Sequence, residues 1–309
     1  MLRLILGRAG TGKTALLFSE IAQRCARGQS GSFLIVPEQY SHEAERELAQ
    51  RCGDTASLYA EVLSFSRLAH RVAIGCGGSG RVYMDKPGRF LQLSLALEQM
   101  GGALTVYGGS ARSPEQMVQL LSALDELHFG CAAPDALRKA AGNATAALSD
   151  KLRDLALLQE ALDALSAQSG ADPAGRLDVL AAQLSDCTWL RGAKFYIDGF
   201  TDFTAQERRV IRALLALADV TVCLTCDDPA SGSEVFSLAR RTARALRDAA
   251  AEDGVAAEIV SVPRGGERTP MAFLEENLFG WTDEVCGAAG AVRLVRASGV
   301  AAECELAAA

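Results

Sequence analysis

Residues 2–14 constrain the fold more than any other stretch. Leu2-Arg3-Leu4-Ile5-Leu6 runs into Gly7-Arg8-Ala9-Gly10-Thr11-Gly12-Lys13-Thr14, and Ala15-Leu16-Leu17-Phe18 continues at helical spacing. The short apolar run reads as a buried strand. The glycines let the following loop curl with its N–H groups turned inward, and Lys13 and Thr14 open a helix. Strand, glycine-rich loop and helix in that order make a cradle for phosphate. Backbone amides and the helix dipole hold anionic oxygens, the Lys13 ammonium reaches the outer phosphates, and the Thr14 hydroxyl suits Mg²⁺. Gly7, Arg8, Ala9, Gly10, Thr11, Gly12, Lys13 and Thr14 are therefore the expected nucleotide-binding residues, with ATP and Mg²⁺ as expected ligands. At average residue usage the pattern arises by chance in about one chain of this size in a hundred, and the flanking strand and helix make chance rarer still.

The 309 residues, 49% of them hydrophobic, are enough for one large α/β domain or two smaller ones with a packed core. A net charge of −7 argues against a surface that coats nucleic acid generally, although a channel needs only a stripe of Arg and Lys. There is no run of eighteen apolar residues, and the N-terminus passes directly into the first strand, so neither membrane nor secretion is expected and a cytoplasmic protein is. Nine cysteines are scattered singly along the chain, which suits reduced thiols better than a disulfide framework. Cys223 and Cys226 form the one CxxC, with no second pair at metal spacing and only three histidines, so no metal site is expected there.

Further buried strands are expected at 32–36, 59–65, 193–197, 220–225, 258–262 and 292–296, and helices at 42–51, 66–72 and 205–218. Alternation of that kind predicts a parallel sheet covered on both faces. Between a glycine-rich turn at 75–80 and about residue 190 no convincing strand occurs. Ser113-Pro114-Glu115-Gln116 is a capping box there, followed by Met117, Leu120, Leu121, Leu124 and Leu127 on one face. Leu148, Leu152, Leu155, Leu162 and Leu165 form a second stripe, ended by Ser169 and Gly170. The organisation expected is an α/β core in two parts, 1–75 and 191–290, split by a large helical insertion at 76–190. A further segment begins at 291–309 and stops part-way into a helical pattern.

A nucleotide site of this type needs a carboxylate at the end of another core strand to hold Mg²⁺ through its water shell. Phe195-Tyr196-Ile197-Asp198 supplies one, turning at Gly199. The place after that Asp, where hydrolytic sites carry a Glu that positions water, is Gly199. Either Asp202 or Glu207 takes that role, or hydrolysis is slow or absent.

From Asp198 to Glu207, Asp-Gly-Phe-Thr-Asp-Phe-Thr-Ala-Gln-Glu, the chain resembles the AddB/RexB-type B subunits of the bacterial ATP-dependent helicase/deoxyribonuclease, relatives of the superfamily 1 DNA helicases. The opening loop and the segments at 33–39, 64–72 and 150–155 are similar to that family in the same order. The resemblance implies an α/β P-loop NTPase fold of superfamily 1 helicase type. It also implies DNA as a partner, single-stranded and at double-strand ends, and a heterodimer with an A subunit that is the motor. Active relatives read Asp-Glu-Phe-Gln-Asp where this chain has Asp198-Gly199-Phe200-Thr201-Asp202, and they carry an adenine-reading Gln upstream of the loop, where only six residues precede Gly7 here. A degenerate motor is the consequence expected. The family's nuclease domain and four-cysteine iron–sulfur cluster lie in a C-terminal region, and the nine cysteines here match none of the cluster positions. Contacts to DNA are expected at Gln39, Ser64 and Arg67, at or just past strand ends. Two other readings stay open: a P-loop kinase of a small metabolite with the insertion as lid, and a non-hydrolysing scaffold.

Overall fold

Strict alternation of side chains along the strands decides the architecture. The computed structural model describes every residue except 54, 77–81, 110–112, 229, 231–232, 264, 266–268, 279–281 and 288–291, and the backbone alone at 168 and 169. The elements run β1 (Leu2–Gly7), α1 (Lys13–Ala26), β2 (Ser32–Ile35), α2 (Ser41–Cys52), β3 (Ala60–Leu63), α3 (Phe65–Gly75), α4 (Lys86–Met100), α5 (Pro114–Phe129), α6 (Pro134–Ala141), α7 (Ala146–Ser169) and α8 (Arg176–Gln183). They continue with β4 (Lys194–Ile197), α9 (Ala205–Leu215), β5 (Asp219–Thr225), α10 (Ser237–Glu252), β6 (Ala257–Ser261), α11 (Pro270–Asn277) and α12 (Val300–Ala308). All six strands are parallel, in the order β3-β2-β4-β5-β1-β6.

Odd and even positions feed different cores. Leu2, Leu4, Leu6, Phe33, Ile35, Phe195, Ile197, Val220, Val222 and Leu224 pack with α3, α8, α9 and α10 on one face of the sheet. Ile5, Leu34, Val36, Val62, Tyr196 and Cys223 pack with α1 and α2 on the other. Each such side chain taken out of water contributes about 1.5–3 kcal/mol, so the sheet is held by both layers together.

A third core lies away from the sheet, where Leu93, Leu97, Met117, Leu120, Leu124, Leu137, Leu155, Leu158 and Leu162 join α4, α5, α6 and α7. Leu148, expected on its stripe, is exposed. Among the described residues 82–190 the backbone forms one isolated bridge, Tyr83 to Ala171, and no strand. Asp154, 1% exposed, accepts the N–H groups of Thr105, Val106 and Tyr107 at 3.0, 2.7 and 3.0 Å and so pins the α4–α5 connection onto α7. Replacing it by Ala leaves three donors bare. A loss of roughly 1–3 kcal/mol is expected in urea denaturation, with Asp154→Asn losing less. α8 turns back to the sheet through Leu180. Its Asp178 accepts from Gln206 Nε2 at 2.7 Å and lies 3.0 Å from His128 Nε2, tying α5 to α9.

Three expectations need correction. The third strand is shorter than 59–65, because the Ser64 hydroxyl caps α3 by accepting the Arg67 N–H at 3.2 Å, and a cap ends a strand. No strand forms at 292–296. Leu294 and Val295 stand exposed there with no neighbouring strand to pair with. Most of the glycine turn expected at 75–80 lies outside the described residues. Cys76 and Cys187 are joined as a disulfide with Cα atoms 6.3 Å apart, against the expectation of thiols throughout, because the chain returns to the sheet beside the point where it left it. The CxxC cannot chelate one ion, since a spacing of three on a strand puts Cys223 and Cys226 in opposite cores.

Candidate functional site

β1 delivers the glycine loop to the C-terminal edge of the sheet. Gly12 caps α1 with φ +89, a left-handed value that the loop needs to turn its amides inward. Lys13, 8% exposed, folds back so that its Nζ donates to the carbonyls of Gly7 at 2.7 Å and Arg8 at 2.8 Å. Burial depresses the ammonium below the usual lysine range, against the opposing pull of Asp198. Asp198 sits at the end of β4, where its N–H donates to Ile35 at 3.0 Å. β5 lies between β1 and β4, and across it the Thr14 hydroxyl donates to Asp198 Oδ2 at 2.6 Å. Two residues 184 apart in sequence thus bring a hydroxyl and a carboxylate together, hard oxygen donors of the kind Mg²⁺ takes.

A cavity of about 580 Å³ opens beside this pair. Its lining includes Gly10, Gly12, Lys13, Thr14, Asp198 and Gly199 from the loop and β4 side, and Phe18, Tyr40, Glu43, Glu47 and Arg51 from α1 and from α2 with the turn before it. Asp202 and Glu207 do not line it. Glu207 closes a capping box with Thr204, its carboxylate accepting the Thr204 N–H at 2.7 Å. Asp202 accepts from the Phe203 N–H and the Thr242 hydroxyl, both at 2.7 Å. Both carboxylates are committed to starting α9 and holding α10; the bond from Thr242 to Asp202 spans 40 residues and leaves no local signal, whereas the Thr204–Glu207 box is a local pattern that a reading of Glu207 as a catalytic base passes over.

The three residues expected to meet DNA fare differently. Gln39 is exposed in the turn after β2. Ser64 is buried with its hydroxyl used as the cap. Arg67 pairs with Glu45 at 2.7 Å and lines a second cavity of about 470 Å³ under α2.

A family model described as "ADDB, N-terminal" matches residues 4–275. This chain belongs to that family. The B-type subunit of the ATP-dependent helicase/deoxyribonuclease of Desulforudis audaxviator is 37% identical over 322 residues, which take in 98% of this chain and 28% of that protein. Its counterpart of the same description from Moorella thermoacetica is 33% identical over 327 residues, and that from Desulforamulus reducens 35% over 327, each covering 99% of this chain and 28% of the relative. The chain therefore spans under a third of the length of these AddB relatives. The resemblance read from the stretch at 198–207 and the four further blocks is borne out.

One contact lay beyond sequence reasoning. Arg8, in the loop itself, reaches α11, where its Nη1 lies 3.3 Å from the Glu275 carbonyl and 3.5 Å from its carboxylate, and its guanidinium sits 5.4 Å from the Phe236 ring centre. A separation of 267 residues leaves no local signal for it.

Proposed function

We propose that this chain is the ATP-binding, helicase-like part of a B-type helicase–nuclease subunit that works on DNA ends in repair and recombination, in the cytoplasm and beside a partner of the A type. The observation that carries the nucleotide reading is the Thr14–Asp198 contact in the wall of the cavity, with Lys13 lining the same cavity. The strand order supports a P-loop NTPase of helicase type, because one strand separates the loop-bearing β1 from the carboxylate-bearing β4. The site lies outside the carboxyl ends of parallel strands, where ligands of open α/β sheets bind.

Lys13 and the loop amides bind the phosphate chain, and Thr14 and Asp198 are the residues that would hold Mg²⁺. Bound there, that ion neutralises charge between the outer phosphates. The part of the chain from α4 to α7, with its own core, is read as an insertion into the α/β core. Nothing favours the kinase reading. Arg138 is paired with Asp135 and Glu160, Arg176 stacks over Tyr83, and neither these nor Arg153 line the cavity. The scaffold reading is tested by nucleotide affinity.

DNA contact is assigned to the exposed turn carrying Gln39 and to Arg67. Titration of the chain with single-stranded oligonucleotide, repeated across salt concentrations, is the test. Log affinity is expected to fall with log salt at about 0.7 per phosphate held. A flat response, or no binding with the A-type partner present, refutes the DNA assignment.

A further inference from the structure

The geometry points to Glu43 as the carboxylate that positions the attacking water at the terminal phosphate. This rests on the reading that the cavity holds Mg²⁺·ATP, and goes beyond it by naming the residue that acts where the expected Glu is missing. Three observations converge on it.

First, the position after Asp198 is strained and tight for any side chain. Gly199 has φ +83, and a Cβ built there would lie 3.2 Å from Pro37 Cδ and 3.9 Å from Tyr40 Cδ2. The turn that opens α2 would have to yield at Pro37 for a side chain to start there. Second, Asp202 and Glu207 are held elsewhere by the bonds described above. Third, that same turn leads into the first turn of α2, where Glu43 lines the cavity with Lys13, Thr14, Asp198 and Gly199. Its neighbour in the cavity, Glu47, is tied to Arg51 at 2.5 Å, whereas no hydrogen bond or ion pair engages Glu43 among the described residues. Ala44 and Leu48, buried in the core shared with Leu17 and Phe18, fix α2 against α1 and so set where Glu43 stands.

Terminal-phosphate transfer passes through a loose transition state, so orienting the water matters more than strong proton abstraction. The water donates a hydrogen bond to the Glu43 carboxylate, and its oxygen bonds to the terminal phosphorus as the bond from phosphorus to the ADP oxygen breaks. The electron pair of that bond stays with ADP. The water's proton passes to Glu43 and then to solvent, giving ADP, phosphate and H⁺.

The test measures single-turnover phosphate release from radiolabelled ATP with single-stranded DNA, alongside Mg²⁺·ATP affinity, for wild type, Glu43→Gln, Glu43→Asp and Glu207→Gln. The last keeps its capping box, because Gln serves that motif as well as Glu. Glu43→Gln is expected to slow release by roughly tenfold or more at unchanged affinity. Glu43→Asp is expected to recover part of the rate, and Glu207→Gln all of it. Release by Glu43→Gln within twofold of wild type, or no release by wild type, overturns the assignment of Glu43 while leaving the nucleotide reading intact. Absence of Mg²⁺·ATP binding by wild type overturns both.

Discussion

Lys13→Ala is expected to weaken Mg²⁺·ATP binding by about 2–4 kcal/mol, because it leaves phosphate oxygens in a partly dehydrated cradle with no cation facing them. The side chain is 8% exposed and already bent toward the loop, held on the Gly7 and Arg8 carbonyls. Binding exchanges those two neutral acceptors for charged phosphate oxygens, and bonds between charged partners are about twice as strong. Calorimetric titration is the measurement, with a thermal melt to confirm that the variant is folded. Equal affinities for wild type and Lys13→Ala would sink the idea. The pH dependence has a definite sign. Burial lowers the Lys13 pKa below that of an ordinary lysine, so in the free protein the ammonium is lost as pH rises through that lowered value. Affinity should therefore start to decline at a lower pH than an ordinary exposed lysine would give.

How much of this was legible in the sequence follows from how far apart the interacting residues lie. The loop, the Ser113 cap of α5 and the strands at 32–35 and 194–197 are local patterns, and local patterns survive without a partner. Strand 292–296 failed for the complementary reason. Its apolar residues carry the pattern of a strand, but a strand needs a neighbour to take its backbone bonds, and Leu294 is left fully exposed. Asp198 could be picked out because an apolar strand ended on it, whereas its bond to Thr14 spans 184 residues. Glu43 gave no signal at all. It is one of four acidic or basic side chains in 43–47, and only the packing of α2 on α1 selects it for the cavity. The disulfide of Cys76 and Cys187, 111 residues apart, was hidden in the same way.

Turnover of ATP by this chain is expected to stay far below the usual enzymatic median of about 10 s⁻¹, even with saturating single-stranded DNA. A carboxylate placed beside the metal-holding Asp contributes a factor of roughly 10²–10⁴ in rate, and Gly199 has none to offer. Restoring the Glu found in active helicases should not restore the rate. Gly199→Glu forces a side chain onto a left-handed backbone with φ +83 and drives its Cβ to 3.2 Å from Pro37. The expected result is a stability loss of about 1–3 kcal/mol and no gain in turnover. Slow hydrolysis is expected to rest instead on the acceptor from α2, across the cavity rather than at the next residue. Steady-state ATPase assays of wild type, Gly199→Glu, Asp198→Ala, Asp202→Ala and Glu207→Ala make the comparison. Asp198→Ala should abolish what activity there is, since it removes the carboxylate bonded to Thr14. Asp202→Ala and Glu207→Ala should act only through stability, because their carboxylates hold α9 and α10 in place. Helicase-like rates in wild type, abolished by either of those two substitutions in a folded variant, would mean that the loop after β4 rearranges when nucleotide binds and that the motor is intact.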